Sequence, residues 1–384
     1  MESKFNHIPL QIEQPDFGSK LTDVIIELER LRAPRRIKSR VHPYIFAQLK
    51  AIFHTLESLG SVRIEGNNTT LADVVEKTID GSLKTSKEEQ IKELMNNQRT
   101  LEFIEENVNE GTKIDRRFIS EFHKLIVANL DPSKDGDYTP GEYRKKEVTI
   151  ANTPHKPPLA TTVQEYMDEL IGFINNQRDQ KYKLLSTAVA HHRFVWVHPF
   201  GNGNGRTVRA LTYAMLMSQG FAVNHILNPT AVFCNDRDVY YSMLAEADKG
   251  TREGMLKWCE YVLVNLLEEI QKIDRLLDYD YLIPRVLIPA VDYALERKNI
   301  NATEHQILKL ACEKGEIKAA DVNQVLKKKY SPQVSAFIGK LKKEGLLTEA
   351  PDKKRSYVIV FSSSHLLRGV IESLKNGNFI SSLE

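Results

Sequence analysis

The chain has 384 residues, 41% of them hydrophobic and 27% charged, which suits a folded protein of two or three domains and argues against disorder. Its 53 basic and 51 acidic residues leave a formal charge of +2, which does not fit a nucleic-acid coat or a membrane-surface protein, so any basic patch must be local. Cys234, Cys259 and Cys312 lie far apart with no C-x-x-C pair, which argues against a disulfide framework or structural zinc site and for a reducing, cytoplasmic compartment.

The opening "MESKFNHIPLQIEQPDF" has no signal-peptide apolar region, and no apolar run reaches the roughly 18 residues of a membrane span, so no membrane partner is expected. From Tyr44 to Leu59, Ile45, Leu49, Ile52, Phe53 and Leu56 form the stripe of an amphipathic helix that stops at Gly60. A short segment, "SVRIEG", follows, and then helices to about Glu106, so residues 1–110 read as an N-terminal helical region. Phe118 to Leu130 reads as a helix ended by Asp131 and Pro132. The stretch after it is dense in turn formers around one alternating run, "EVTI", and predicts a small β-hairpin over 140–158.

From Thr161 the helical period returns, and Leu184, Leu185, Ala188, Val189, His192 and Trp196 share one face leading into "HPFGNGNGRTVR", His198 to Arg209. The continuation "RTVRALTYAMLMSQG" is apolar almost all round and predicts a buried central helix with Gly220 as its C-cap. Helices dominate to about Leu277, so 111–280 reads as one core domain, and Pro284 and Pro289 mark a connecting helix over 281–300. From Asn301, three short helices precede "LLTEAPDKKRSYVIVF", read as strand, turn, strand, so 301–384 has the order of a winged helix-turn-helix and a tail. The fold class expected is mainly α with these two small β features.

The glycine-rich loop ends where a helix begins, with Asn204 or Gly205 as its N-cap. Free N–H groups and the positive dipole end at that point make an anion site. Gly201, Gly203 and Gly205 let a ligand approach the main chain, and Arg206 and Arg209, three apart, lie on neighbouring positions suited to gripping a polyphosphate. The loop lacks the Gly-Lys-Ser/Thr ending of a Walker A motif, and it follows a helix rather than the strand of a dinucleotide fingerprint. His198 stands before the cradle, where an imidazole with a pKa near neutrality can take a proton from a hydroxyl attacking the phosphate; a histidine that caps the preceding helix is the plain alternative.

"HPFGNGNGRTVR" resembles the signature of the Fic family, H-x-F-x-[D/E]-G-N-G-R-x-x-R, at every fixed position but one: Asn202 stands where the family has an acid. The resemblance extends through "HHRFVWVHPF", "GEYRKKEVTI" with its "HKPP" exit, and "NDRDVYYSMLAEADKG", roughly Thr112 to Gly250. It implies a mostly helical core that transfers AMP from ATP to a Ser, Thr or Tyr hydroxyl of a protein, with Mg²⁺ as cofactor. His198 would be the general base and Phe200 the anchor of the loop. Gly203, Asn204 and Gly205 would hold phosphate oxygens, and Arg206 the β- and γ-phosphates. Tyr240 and Tyr241 resemble the pair beside the adenine, and Asp248 stands where some members carry an adenine-side asparagine. Val148, Ile150 and Ala151 resemble the flap that aligns a target segment by main-chain pairing. A neutral Asn202 carbonyl in place of a carboxylate implies weaker metal dependence.

In "SVRIEG", Ser61 and Glu65 are four apart and Gly66 suits a C-cap, which alone describes an ordinary short helix with a solvated glutamate. Beside a Fic core, residues 61–66 resemble the family's inhibitory motif, [S/T]-x-x-x-E-[G/N], in which Glu65 would pair with Arg209 and compete with the ATP γ-phosphate. Lys327 to Lys329, Lys340, Lys342, Lys343 and "DKKR" make the last domain locally basic, which suits either a DNA backbone or a protein-docking module. Two functions follow: a protein adenylyltransferase whose C-terminal module recruits targets, or a DNA-binding regulator whose Fic core senses nucleotide or removes AMP. A homodimer accords with the resemblance.

Overall fold

Ile45, Leu49, Ile52, Phe53 and Leu56 are buried as their spacing requires, but the helix they begin does not stop at Gly60. It runs on to Ile64 (α2, Pro43–Ile64), so "SVRIEG" supplies its last turn instead of a separate short helix. Gly60 packs closely against another side chain: a Cβ there would lie 3.0 Å from Cys234 Sγ, so that the thiol would have to give way. The chain turns away only at Gly66, whose φ of +103° is open to glycine.

In this computed structural model the described residues are 5–32, 42–150, 153–176, 179–221, 230–234, 236–327, 331–351, 353 and 355–380. They fall into two compact units that cut across the sequence blocks: 1–35, 54–68 and 87–270 in the first, and 36–53, 69–86 and 271–384 in the second.

The first unit holds α1 (Lys20–Arg32), the end of α2, α4 (Glu89–Asn107), α5 (Arg116–Ile126), α6 (Val163–Asn176), α7 (Lys183–Val197), α8 (Asn204–Ser218), α9 (Ala231–Cys234), α10 (Arg237–Ala247) and most of α11 (Arg252–Leu276). Every residue of α8 from Arg206 to Met217 is buried, because α4, α5 and α7 all pack on it. Two of its threonines are satisfied by the chain one turn earlier: Thr207 and Thr212 donate to the Gly203 and Val208 carbonyls, each at 2.8 Å. The helix ends at Ser218 and Gly220, at φ +83°, stands beyond the Gln219 cap. α5 starts at Arg116, where the Asp115 carboxylate accepts the Arg117 and Phe118 N–H groups, and ends at Ile126, four residues before the expected Leu130.

The hairpin expected over 140–158 is not formed among the described residues, which hold turns and one bridge residue, His155, but no strand. Pro154, Pro157 and Pro158 remove three main-chain donors from the returning arm, and an isolated two-stranded ribbon is marginal even with all of them. Val148 and Ile150 are half-buried there, and Ala151 lies outside the described residues.

The second unit contains the start of α2, α3 (Leu71–Ile79), α12 (Tyr279–Leu282), α13 (Ile288–Glu296), α14 (Ala302–Lys314), α15 (Ala319–Leu326), α16 (Ser331–Lys343) and α17 (Leu366–Asn376). Pro284 sits in a π-helical turn over Ile283–Leu287 between α12 and α13. The strands β1 (Ile317–Lys318), β2 (Leu347–Glu349) and β3 (Ser356–Ile359) form an antiparallel sheet in the order β1-β3-β2, with Leu347 opposite Ile359 and Ile317 opposite Tyr357. β1 is a strand the sequence reading lacked. α17, read only as a tail, lies so close to α13 that a Cβ at Gly369 would come 2.6 Å from the Ala290 carbonyl oxygen. Several of the basic residues are paired: Lys340 with Glu304 at 2.5 Å, Lys342 with Glu349 and Lys353 with Glu316 at 2.6 Å. Lys328, Lys329 and two residues of "DKKR" lie outside the described residues.

Candidate active site

The loop between α7 and α8 is held by side chains on four sides. His198 caps α7 in a left-handed conformation, φ 50° and ψ 63°, with its N–H on the Phe194 carbonyl at 3.0 Å. A β-carbon makes that region costly, so the surrounding contacts must over-determine it. Arg144 supplies many of them: its Nε donates to the His198 carbonyl at 2.8 Å, Nη2 to the Pro158 carbonyl at 2.6 Å, and its own N–H to the Pro199 carbonyl at 2.8 Å. One buried guanidinium thereby ties the histidine to both ends of the turn-rich segment.

Phe200 is fully buried and stacks on His123, ring centroids 3.8 Å apart and nearly parallel. The His123 imidazole accepts the Gly141 N–H at Nδ1, 2.8 Å, and faces the Asn202 carbonyl with Nε2, 3.1 Å, an arrangement that only the neutral Nε2–H tautomer satisfies. Burial lowers its pKa to about 4 against the pull of Asp137. The Asp137 carboxylate in turn accepts the Asn202 N–H at 3.0 Å and the Thr139 N–H at 2.8 Å.

The N-cap of α8 is Gly203, at φ +70°, rather than Asn204 or Gly205. Asn204 turns its side chain back instead, accepting the Phe200 N–H and donating to the Phe200 carbonyl, both at 2.9 Å. Gly205 has ordinary helical geometry and is needed for a different reason: a Cβ there would overlap Glu65 Oε1 and stand 2.9 Å from its Cδ.

Both arginines of α8 are buried and both meet carboxylates. Arg209 donates from Nε to Ser61 Oγ at 2.9 Å, and from Nη2 to the Ser61 carbonyl and Glu65 Oε1, each at 2.8 Å. Arg206 Nη1 lies 2.8 Å from Glu93 Oε1, and its Nη2 donates to the Asp135 carbonyl at 2.8 Å. The Glu65 side chain remains 31% exposed, at the open side of its pair. Burial opposes its charge, but Arg209, then Arg206, outweigh that and hold its carboxyl below the ordinary value. Burial likewise drives the His198 pKa down to about 4, below the near-neutral value expected, with the Val195 carbonyl pulling the other way. The ring is therefore neutral at physiological pH and able to accept a proton.

The aromatic pair divides. Tyr240 is buried and shares a hydrogen bond with His191 Nε2 at 2.9 Å, while His191 Nδ1 meets Thr212 Oγ1 at 2.8 Å; Tyr241 is 42% exposed. Asp248 receives His192 Nε2 at 2.9 Å. Sequence reasoning missed Glu93, His123, Asp137, Arg144 and His191 as parts of this site. Their signal is tertiary, since each is a polar residue inside a region whose period predicts only that something is buried.

Residues 113–216 match the family model described as Fic/DOC family. The chain carries a Fic domain. The crystal structure of a Fic family protein from Desulfovibrio desulfuricans G20 superposes with a TM-score of 0.57 over 91% of this chain and 98% of that one, at 19% identity. A Fic-domain signaling protein from Bacteroides thetaiotaomicron gives 0.51 over 67% and 98%, at 18% identity, and both likenesses speak for the fold. Among curated proteins, the one named Protein adenylyltransferase Fic of Drosophila virilis is 28% identical over 194 residues, 50% of this chain and 37% of that protein. Its namesake in Drosophila ananassae is 27% identical over 237 residues, 58% and 43%. The match thus spans about two fifths of those relatives' own length.

The residues of this Fic domain do not fit a ready magnesium site. Asn202 Oδ1 already accepts the Gly203 N–H at 2.7 Å, and Nδ2 donates to the Lys134 carbonyl at 2.6 Å. Among the described residues no three His, Cys, Asp or Glu side chains group as metal ligands. Asn202 acts as a clamp that shapes the loop. Also among the described residues, no helix is long and apolar enough to cross a membrane.

Proposed function

We propose that the chain is a protein adenylyltransferase that moves AMP from ATP to a Ser, Thr or Tyr hydroxyl of a target protein, and to its own chain, and that Glu65 restrains it. The observation that carries this is the loop itself: a neutral, half-buried His198 stands before a helix N-terminus whose first two turns carry two buried arginines, Arg206 and Arg209, each met by a carboxylate that a phosphate could replace.

In the reaction, the target hydroxyl oxygen attacks the α-phosphorus and its proton passes to His198. The bond from that phosphorus to the β-phosphate oxygen breaks, and pyrophosphate leaves against Arg206 and the α8 N–H groups. The Glu65–Arg209 pair at 2.8 Å supports the restraint, because a γ-phosphate would need the same guanidinium. The half-exposed Val148 and Ile150 segment is read as the flap that pairs with the target backbone, which completes a ribbon the free chain leaves unpaired. Tyr240, Tyr241 and Asp248 are read as the adenine side.

We read 301–384 as a winged helix that recruits the target and not DNA, since Lys340, Lys342 and Lys353 direct their charge at carboxylates of their own unit. The test is incorporation of labelled ATP into the purified protein. Glu65→Gly raises it and His198→Ala abolishes it; equal incorporation by Glu65→Gly and wild type would overturn the restraint, and incorporation by His198→Ala the assigned base.

A further inference from the structure

The inhibitory segment accounts for Arg209 alone, yet Arg206 is also held. Its partner, Glu93 on α4, is as buried as the arginine: the two side chains are 3% and 2% exposed and 2.8 Å apart. The other Glu93 oxygen accepts Asn67 Nδ2 at 2.6 Å, and the same amide donates to the Gln90 carbonyl, one turn earlier on α4, at 3.0 Å. Asn67 stands two residues beyond Glu65. Two carboxylates, joined through one short segment, thus hold the two guanidiniums of a single loop.

We propose that Glu93 is a second lock on the anion loop, occupying Arg206 as Glu65 occupies Arg209, so that an incoming polyphosphate must displace both carboxylates. The inference rests on the reading of the loop as an ATP site and adds a regulator to it. A phosphate that reaches Arg206 brings negative charge against a glutamate with almost no access to water. Glu93 must then give up the contact or take a proton, and either cost is subtracted from nucleotide binding. Burial already raises the Glu93 carboxyl above its ordinary value, with Arg206 and the Asn67 hydrogen bond pulling it back.

Replacing Glu93 by glutamine keeps the shape and an acceptor for Asn67 but leaves the buried Arg206 charge unmatched. A polyphosphate relieves that, so binding tightens. A glutamate that merely supported the fold would have the opposite effect, because a loosened loop binds anions less well.

The test is titration calorimetry of the full chain with ATP and with inorganic tripolyphosphate, in a Glu65→Gly, His198→Ala background that removes the first lock and keeps ATP intact. Adding Glu93→Gln lowers Kd for both ligands by about tenfold, within the usual range of coupling between sites. Asn67→Ala, which frees the carboxylate without removing it, lowers Kd in the same direction by less, and decides the question if the glutamine variant does not fold. Unchanged or weaker binding in folded Glu93→Gln and Asn67→Ala proteins overturns the second lock alone. If the background protein binds neither ligand, the ATP-site reading falls and the lock with it.

Discussion

Gly205→Ala tests the restraint without altering any charged residue. A Cβ at 205 overlaps Glu65 Oε1, lies 2.9 Å from Glu65 Cδ and is 3.2 Å from Arg209 Nη1, so the glutamate must leave while the arginine need shift only slightly. Arg209 does not become bare when it goes, because Ser61 Oγ and the Ser61 carbonyl still accept from it. With the Glu65 side chain 31% exposed and Arg209 1% exposed, the pair stands between a surface ion pair and a buried one. Its loss costs about 1–2 kcal/mol. That shift in favour of the released loop corresponds to roughly a 5- to 30-fold rise in labelled-AMP incorporation. Alanine also favours the helix by about 1 kcal/mol over glycine, so the fold is not weakened. In a Glu65→Gly background the same alanine has nothing to displace and changes the rate little, which makes the pair a double-mutant cycle. Incorporation by Gly205→Ala at or below wild type, or an equal fall in both backgrounds, would refute the steric account and point to crowding of the phosphates themselves.

Other consequences follow from the loop's supports. Gly203→Ala places a Cβ at φ +70° and 3.0 Å from Val127 Cγ1, and thermal melting should show a loss of about 1–3 kcal/mol. Asn202→Asp keeps the acceptor for Gly203 but sets a carboxylate against the Lys134 carbonyl, now 2.6 Å from Nδ2. We expect a loss of about 1–3 kcal/mol in EDTA, with Mg²⁺ raising the melting point of the variant more than that of wild type. His123 carries a pKa of about 4 in the fold against an ordinary 6.5, so the fold favours its neutral form. That stabilisation is complete above pH 6.5 and is lost as pH falls towards 4, by about 2 kcal/mol between pH 6.5 and 5. Urea unfolding across that range should be shallower for His123→Asn by about 1.4 kcal/mol per pH unit.

Local chemistry in one dimension was enough to read several features. The apolar run after Arg206 predicts a helix buried on all sides, and α8 is one, because a helix without a polar face has nowhere else to go. The glycines, His198 and the two arginines come from twelve consecutive residues, so their proximity needs no fold to bring it about. Gly60 misleads for the same reason: a glycine looks like a stop until Cys234, 174 positions away, is seen packed against it inside a continuing helix. The hairpin misleads the other way, since alternation in "EVTI" records a strand's pattern while the ladder depends on a partner.

By itself, then, the sequence determined the glycine-rich turn with its histidine and two arginines and the helical character of the chain, all of which depend on neighbours a few residues apart. Only the tertiary structure decided what Arg206 faces and what holds His198. Arg206 meets Glu93 and His198 is held through Arg144, across separations that no spacing rule spans, whereas the Arg209–Glu65 pair is the one the resemblance implies. The physical reason is burial: a guanidinium removed from water must find a carboxylate or carbonyl, and which one it finds is set by the packing of α2, α4 and α8.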